Sequence, residues 1–145
     1  MATTDRFRAA VESRDLGALE ALFTEDIRLY SPVKFRPFEG RALVLGLFGV
    51  LGRTFEDVRY SGRLDGAAER GADGLRSAAA ALPFQASVKG RQIHGIDLLH
   101  LDGARRITEI TVMIRPQSAV QIVAEAIHAG LVADGLLPAP VPADR

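Results

Sequence analysis

The sequence predicts an α+β domain, with helices segregated to one face of a curved antiparallel sheet. Three observations carry this. Apolar residues recur at helical spacing near the start of the chain and again near its end. Between them runs a series of segments that alternate apolar and polar residues, the pattern of half-buried strands. The two longest of these meet at Asp102-Gly103, a strong hairpin signal.

Taken in order, Thr4 or Asp5 can cap a first helix running to about Arg14, with Phe7, Ala10 and Val11 on one face. Asp15 reads as the cap of a second, short helix, whose Leu16, Leu19, Leu22 and Phe23 repeat at spacings of three and four. Ile27 to Ser31 alternates and is stopped by Pro32, as a short strand would be. Pro32 to Gly40 is a loop, and Arg41 to about Arg53 returns to helix. Its Gly46, Gly49 and Gly52 lack the preceding strand and the Lys-Ser/Thr of a phosphate-binding loop, so they read as a packing stripe. Phe55 to Asp65 alternates as a strand, and Gly66 to Arg76 is turn-rich. In Ala78 to Lys89 two signals conflict. Four consecutive alanines favour helix, whereas Pro83 argues against a continuous one. A strand is predicted, because the segment must pair between its neighbours. The hairpin follows, and Gln117 to Val132 closes with a helical pattern carrying Ala119, Val120, Val123, Ile127 and Leu131. Residues 1–137 read as a single domain and 138–145 as a loose, Pro- and Ala-rich tail.

Composition narrows the function classes. The formal net charge is zero, so no general electrostatic attraction to nucleic acid or an anionic membrane is expected. Cysteine is absent, which removes disulfides and thiolate metal sites. The longest apolar run, Ala42 to Gly52, is far short of the ~20 residues that span a bilayer. Met1 to Arg6 leads into a charged helical pattern without an apolar signal-peptide core, so a cytoplasmic protein is expected. His94 and His100 lie six residues apart on one strand, roughly 20 Å, too far to share a metal ion. They read as surface or subunit-interface histidines, and His128 as solvent-facing on the last helix. Glu25 and Asp26 read as turn and cap residues, and Lys34 and Arg36 as charges of a rim loop. No metal and no cofactor is expected.

One residue breaks the pattern. On the strand Gln92 to Leu101, the odd positions Ile93, Asp97, Leu99 and Leu101 share a face. The next strand offers Ile110, Val112 and Ile114 on the same side, none of which neutralises a charge. Asp97 must therefore accept hydrogen bonds, find a partner, or keep its proton. Two readings stay open: a buried acid satisfied by a backbone donor or water, and a pocket acid that exchanges a hydrogen bond or proton with a ligand.

Two stretches carry a resemblance. One is Arg14-Asp15-Leu16-Gly17-Ala18-Leu19-Glu20-Ala21-Leu22-Phe23-Thr24-Glu25-Asp26 with Tyr30-Ser31-Pro32 and Phe38-Glu39-Gly40-Arg41. The other is Gly95-Ile96-Asp97-Leu98-Leu99-His100-Leu101-Asp102-Gly103 with Ile107-Thr108-Glu109 and Arg115-Pro116. The chain resembles the nuclear-transport-factor-2-like (NTF2-like, cystatin-like) superfamily in its SnoaL-like branch. That branch includes polyketide cyclases, ketosteroid isomerases and limonene epoxide hydrolases. The resemblance implies a cone, a bent sheet wrapped over the N-terminal helices with an apolar pocket at its open end.

It also implies a place for Asp97, where ketosteroid isomerases carry the protonated aspartic acid of their oxyanion hole. Their other positions do not carry over. Phe7 stands where that family has a tyrosine, and Ser31 where it has its base. Val112 replaces the aspartate of the polyketide cyclases, and Gly95 the arginine of the epoxide hydrolases.

The expected function is therefore binding of a small, mostly apolar molecule, polycyclic or carbonyl-bearing. Phe7, Phe23, Ser31, Phe38, Phe84, Leu99, Ile110 and Val112 would form its wall, with Asp97 as the polar contact and the candidate acid–base group of an isomerase, cyclase or hydrolase. A homodimer is expected through the sheet face around Ile96 and Leu98. The alternative is a non-catalytic dimeric binding or assembly module with a vestigial pocket.

Overall fold

The structure, a computed structural model, describes residues 2–137; the predicted tail at 138–145 lies outside the described residues. The order is α1 (Thr3–Ser13), α2 (Leu16–Leu22), β1 (Phe23–Tyr30), β2 (Phe38–Glu39), α3 (Arg41–Thr54), β3 (Glu56–Tyr60), β4 (Leu64–Glu69), β5 (Arg76–Val88), β6 (Arg91–Leu101), β7 (Ile107–Arg115) and α4 (Gln117–Ala133). The strands form one sheet in the order β2-β1-β7-β6-β5-β3, with β4 also on β5. All neighbours are antiparallel except β1 and β7, which run parallel, so the predicted antiparallel sheet is mixed at one edge. Among the described residues, no helix is long and apolar enough to cross a membrane.

Local chemistry explains most boundaries. Asp15 caps α2, its carboxylate accepting the Ala18 N–H at 3.0 Å. The cap expected at Thr4 or Asp5 is absent: α1 starts after Ala2, with no side-chain cap. Thr4 Oγ1 and the Asp5 carboxylate instead each accept from Arg63 at 3.0 Å. β1 begins immediately after α2 rather than at Ile27, so Glu25 and Asp26 are strand residues and not turn or cap residues.

The alanine run is strand, as the pairing argument required. Ala78 to Ala81 pair with β4 on one side and β6 on the other, a tertiary context that overrides helix propensity. Pro83 is accommodated at a gap. β4 pairs with β5 as far as Ala81 and β3 resumes at Phe84, so the missing N–H falls between two edge strands. The predicted strand from Phe55 to Asp65 is split by the same gap into β3 and β4. The segment read as turn from Gly66 is strand as far as Glu69.

α1, α2 and α3 lie on the concave face, and one hydrophobic cluster runs from Phe7 through Leu47 and Leu99 to Leu131. The three α3 glycines accommodate neighbours rather than a phosphate. A Cβ on Gly46 would meet Leu136 at 2.3 Å, whereas one on Gly49 would stand 3.6 Å from Leu16 and one on Gly52 3.7 Å from Arg14, ordinary contact distances.

Candidate functional site

The cavity lies between the helices and the concave sheet face, with a volume of about 540 Å³. Leu19 of α2 and Leu47, Phe48 and Leu51 of α3 form one wall. Leu29, Phe84, Val112 and Ile114 form the sheet side, and Val123 and Ile127 of α4 close it. Among these apolar groups stand Ser31, Tyr60 and Asp97, with Glu12, Arg14, Arg53 and Asp57 also in the lining.

Asp97 is where the alternation of β6 put it, on the concave face and 6% exposed. Its register neighbours are Leu82 on β5 and Val112 on β7, so the sheet gives it no polar partner. The partner comes from two strands away: the Tyr60 hydroxyl donates to Asp97 Oδ2 at 2.6 Å. Between them in the sheet lie Phe84, paired with Tyr60, and Gly95, paired with Phe84. Gly95 makes this reach possible. A Cβ there would stand 2.5 Å from Phe84 Cζ and 2.6 Å from the Met113 carbonyl oxygen, so only glycine lets the Phe84 ring lie on β6.

Electrostatics follow from burial. Withdrawal from water pushes the Asp97 carboxyl up from its ordinary 3.8 to about 7, against the opposing pull of the Tyr60 hydrogen bond. Burial, and then the neighbouring Asp97 charge, hold the Tyr60 phenol protonated well above its usual range. The ring is fixed by aromatic contacts, with Phe7 at 6.3 Å and Phe84 at 5.8 Å between centroids, both edge-on. Tyr60 is the hydrogen-bond partner of Asp97 among the described residues. A neutral Asp97 therefore keeps an O–H to direct at a molecule in the cavity.

Of the residues expected in the wall, Ser31, Phe84 and Val112 line the cavity with Asp97. Phe7, Phe23, Leu99 and Ile110 stand behind it, at most 1% exposed and packed in the core. Phe7 and Phe23 both pack on Phe48, at 5.9 and 5.7 Å between centroids. Phe38 is buried outside the lining, with the Lys34 ammonium 4.0 Å over its ring. Ser31 Oγ accepts the Val33 N–H at 3.3 Å.

His100 is corrected most sharply. Expected at the surface, it is 1% exposed and faces Glu109 across the hairpin, with Nδ1 3.6 Å from the carboxylate. His94 and His128 are exposed. Tyr60 was missed altogether, although a signal existed. A buried acid needs a donor, and the chain has only two tyrosines.

Three comparisons bear on this geometry. A steroid delta-isomerase from Pseudomonas aeruginosa has a similar structure at 29% sequence identity and a TM-score of 0.79, covering 93% of each chain. A bacterial protein with a cystatin-like fold from Silicibacter pomeroyi is similar at 26% identity and a TM-score of 0.81, covering 92% of this chain and 87% of that one. An NTF2-like protein from Cytophaga hutchinsonii shares the fold at 17% identity and a TM-score of 0.56, covering 80% and 89%. No curated protein matches the sequence. The family model of the SnoaL-like domain matches residues 4–110, which take in the helical layer, Tyr60, Asp97 and most of the sheet. By that match the chain belongs to the SnoaL-like domain family, within the NTF2-like fold.

Proposed function

We propose that the chain binds a small, mostly apolar carbonyl compound in the cavity, and that Asp97 supports isomerase-type acid–base chemistry on it. The observation that carries this reading is the Tyr60–Asp97 contact in an otherwise apolar wall. A buried carboxyl held towards its neutral form donates a hydrogen bond to a carbonyl oxygen, and more strongly as that oxygen gains negative charge. Likeness to a steroid delta-isomerase supports a polycyclic ketone as the ligand class.

Thermal unfolding with a panel of apolar ketones, a steroid 3-ketone among them, tests the reading. Ligands are expected to raise the melting temperature below pH 7, where Asp97 carries its proton, and to lose that effect as pH rises through about 7. Tyr60→Phe sharpens the test. The Tyr60 hydrogen bond holds the Asp97 pKa down, so its removal should move the pH at which ketone binding fades upward. A panel that shifts the melting temperature at no pH sinks the proposal.

The reading extends to a homodimer through the convex sheet face, where the cross-strand pair Ile96 and Met113 is 37% and 53% exposed. Sedimentation should show a dimer that Met113→Lys weakens at least tenfold. A monomer at tens of micromolar would exclude it. Dimerisation without any ketone effect would favour the non-catalytic module.

A further inference from the structure

Ketone binding at Asp97 leaves a second carboxylate in the same cavity without a task. Glu12, near the end of α1, is part of the lining. Its Oε2 accepts the backbone N–H of Tyr60 at 3.3 Å, and its Oε1 stands 3.8 Å from Arg8 Nε. Arg8 in turn donates from Nη2 to the Tyr60 carbonyl oxygen at 3.1 Å. Tyr60 is thus held by α1 at its backbone and by Asp97 at its hydroxyl. The two carboxyl groups sit at opposite ends of one tyrosine.

They also differ in kind. Asp97 is sealed among apolar groups, whereas the Glu12 side chain is 35% exposed and ion-paired. A cavity with a buried acid and a solvent-connected carboxylate, each bonded to the same tyrosine, has the two groups that proton transfer on a ketone needs. The other polar lining groups are worse placed for this. Ser31 has no base beside it, Arg53 is paired with Asp134 at 2.8 Å, and Asp57 is exposed with no tie to Tyr60. Arg14 carries no acceptor.

Resting on the ketone-binding reading, we infer that Glu12 is the base that removes a proton from the carbon next to the bound carbonyl. The C–H electron pair moves into a new carbon–carbon double bond. The carbonyl π pair moves onto oxygen, where the Asp97 hydrogen bond holds it. Protonated Glu12 then returns its proton to the same carbon, or to the far carbon of a conjugated enolate. The carbonyl is regenerated, the carboxylate restored, and no co-reactant is consumed.

Hydrogen–deuterium exchange at the α-carbon of a steroid 3-ketone, followed by NMR in heavy water with the full chain, is the test. The parent is expected to accelerate exchange, and Glu12→Gln to lower the rate about 100-fold or more, while the ketone still raises the melting temperature. Glu20→Gln, at an exposed carboxylate of α2 outside the cavity lining, should leave the rate within about threefold. Arg8→Ala separates proton transfer from mere support of Tyr60: a loss as large as that of Glu12→Gln would overturn the inference. So would exchange that survives Glu12→Gln, exchange abolished by Asp57→Asn instead, or a parent that binds the ketone without exchanging it. Those outcomes leave the binding reading standing. That reading falls only if no ketone shifts the melting temperature, and the inference falls with it.

Discussion

At pH 9, Asp97→Asn is expected to be more stable than the parent by roughly 2–4 kcal/mol, while at pH 4 it should be less stable by about 1 kcal/mol. Burial raises the Asp97 pKa from 3.8 in the open chain to about 7 in the fold. Between those values the folded chain holds a proton that the unfolded chain has released. The stability tied to that proton is complete below about pH 4. It declines by about 1.4 kcal/mol per pH unit as pH rises, and is exhausted above about 7. Asparagine cannot ionise, so the variant lacks this decline, and the difference between the two stability curves reports Asp97. The asparagine carbonyl still accepts from Tyr60, but its amide N–H groups face apolar Leu82 and Val112, which sets the small loss at low pH. Urea unfolding of both proteins at pH 4 and pH 9 measures the difference. Parallel curves would mean that Asp97 is well solvated and not held neutral.

The sign of that effect bears on function. A residue whose replacement stabilises the fold at and above neutral pH is not there for packing. Local conflicts of this kind collect at working sites, and here the conflict coincides with the cavity wall. The structural reading of Asp97 predicts the opposite sign, a net loss on replacement at every pH.

How far the sequence revealed this depends on whether the information was local. Asp97 could be found because strand alternation is a two-residue rule that places it on the aliphatic face without reference to anything else. The hairpin, the α2 cap and the final helix were legible for the same reason. Tyr60 was not, because its contact with Asp97 spans 37 positions and crosses β5, the strand between them. Gly95 leaves the room that the Phe84 ring occupies beside it. Phe7, Phe23, Leu99 and Ile110 were legible as buried, but periodicity cannot separate a residue that lines a cavity from one packed a layer behind it. His100 failed differently. Alternation put it on the convex face, and the expectation that this face meets solvent ignored the turn at residues 70–75 folding back over it.

That turn gives the second large expectation, a loss of about 3–5 kcal/mol for Glu109→Ala. Glu109 is 2% exposed and both its oxygens are engaged, Oε2 accepting the Gly71 N–H at 2.8 Å and Oε1 the Ala72 N–H at 3.1 Å. Directly opposite in register, His100 sets Nε2 3.2 Å from the Glu69 carbonyl oxygen and Nδ1 towards the same carboxylate. One buried acid therefore fastens the β4–β5 turn to the back of the hairpin that carries Asp97. Truncation removes two charge-assisted hydrogen bonds and takes the carboxylate away from His100 Nδ1, which lies 3.6 Å from it and makes no hydrogen bond of its own in the interior. Glu109→Gln keeps the shape but turns an amide N–H towards a backbone N–H, so it should lose about 2 kcal/mol. Amide exchange at Gly71 and Ala72 should quicken in both variants. Neither Glu109 nor His100 lines the cavity, so the ketone-induced rise in melting temperature should persist wherever the variants fold. A Glu109→Ala protein within about 0.5 kcal/mol of the parent would show that the turn is held by its own contacts.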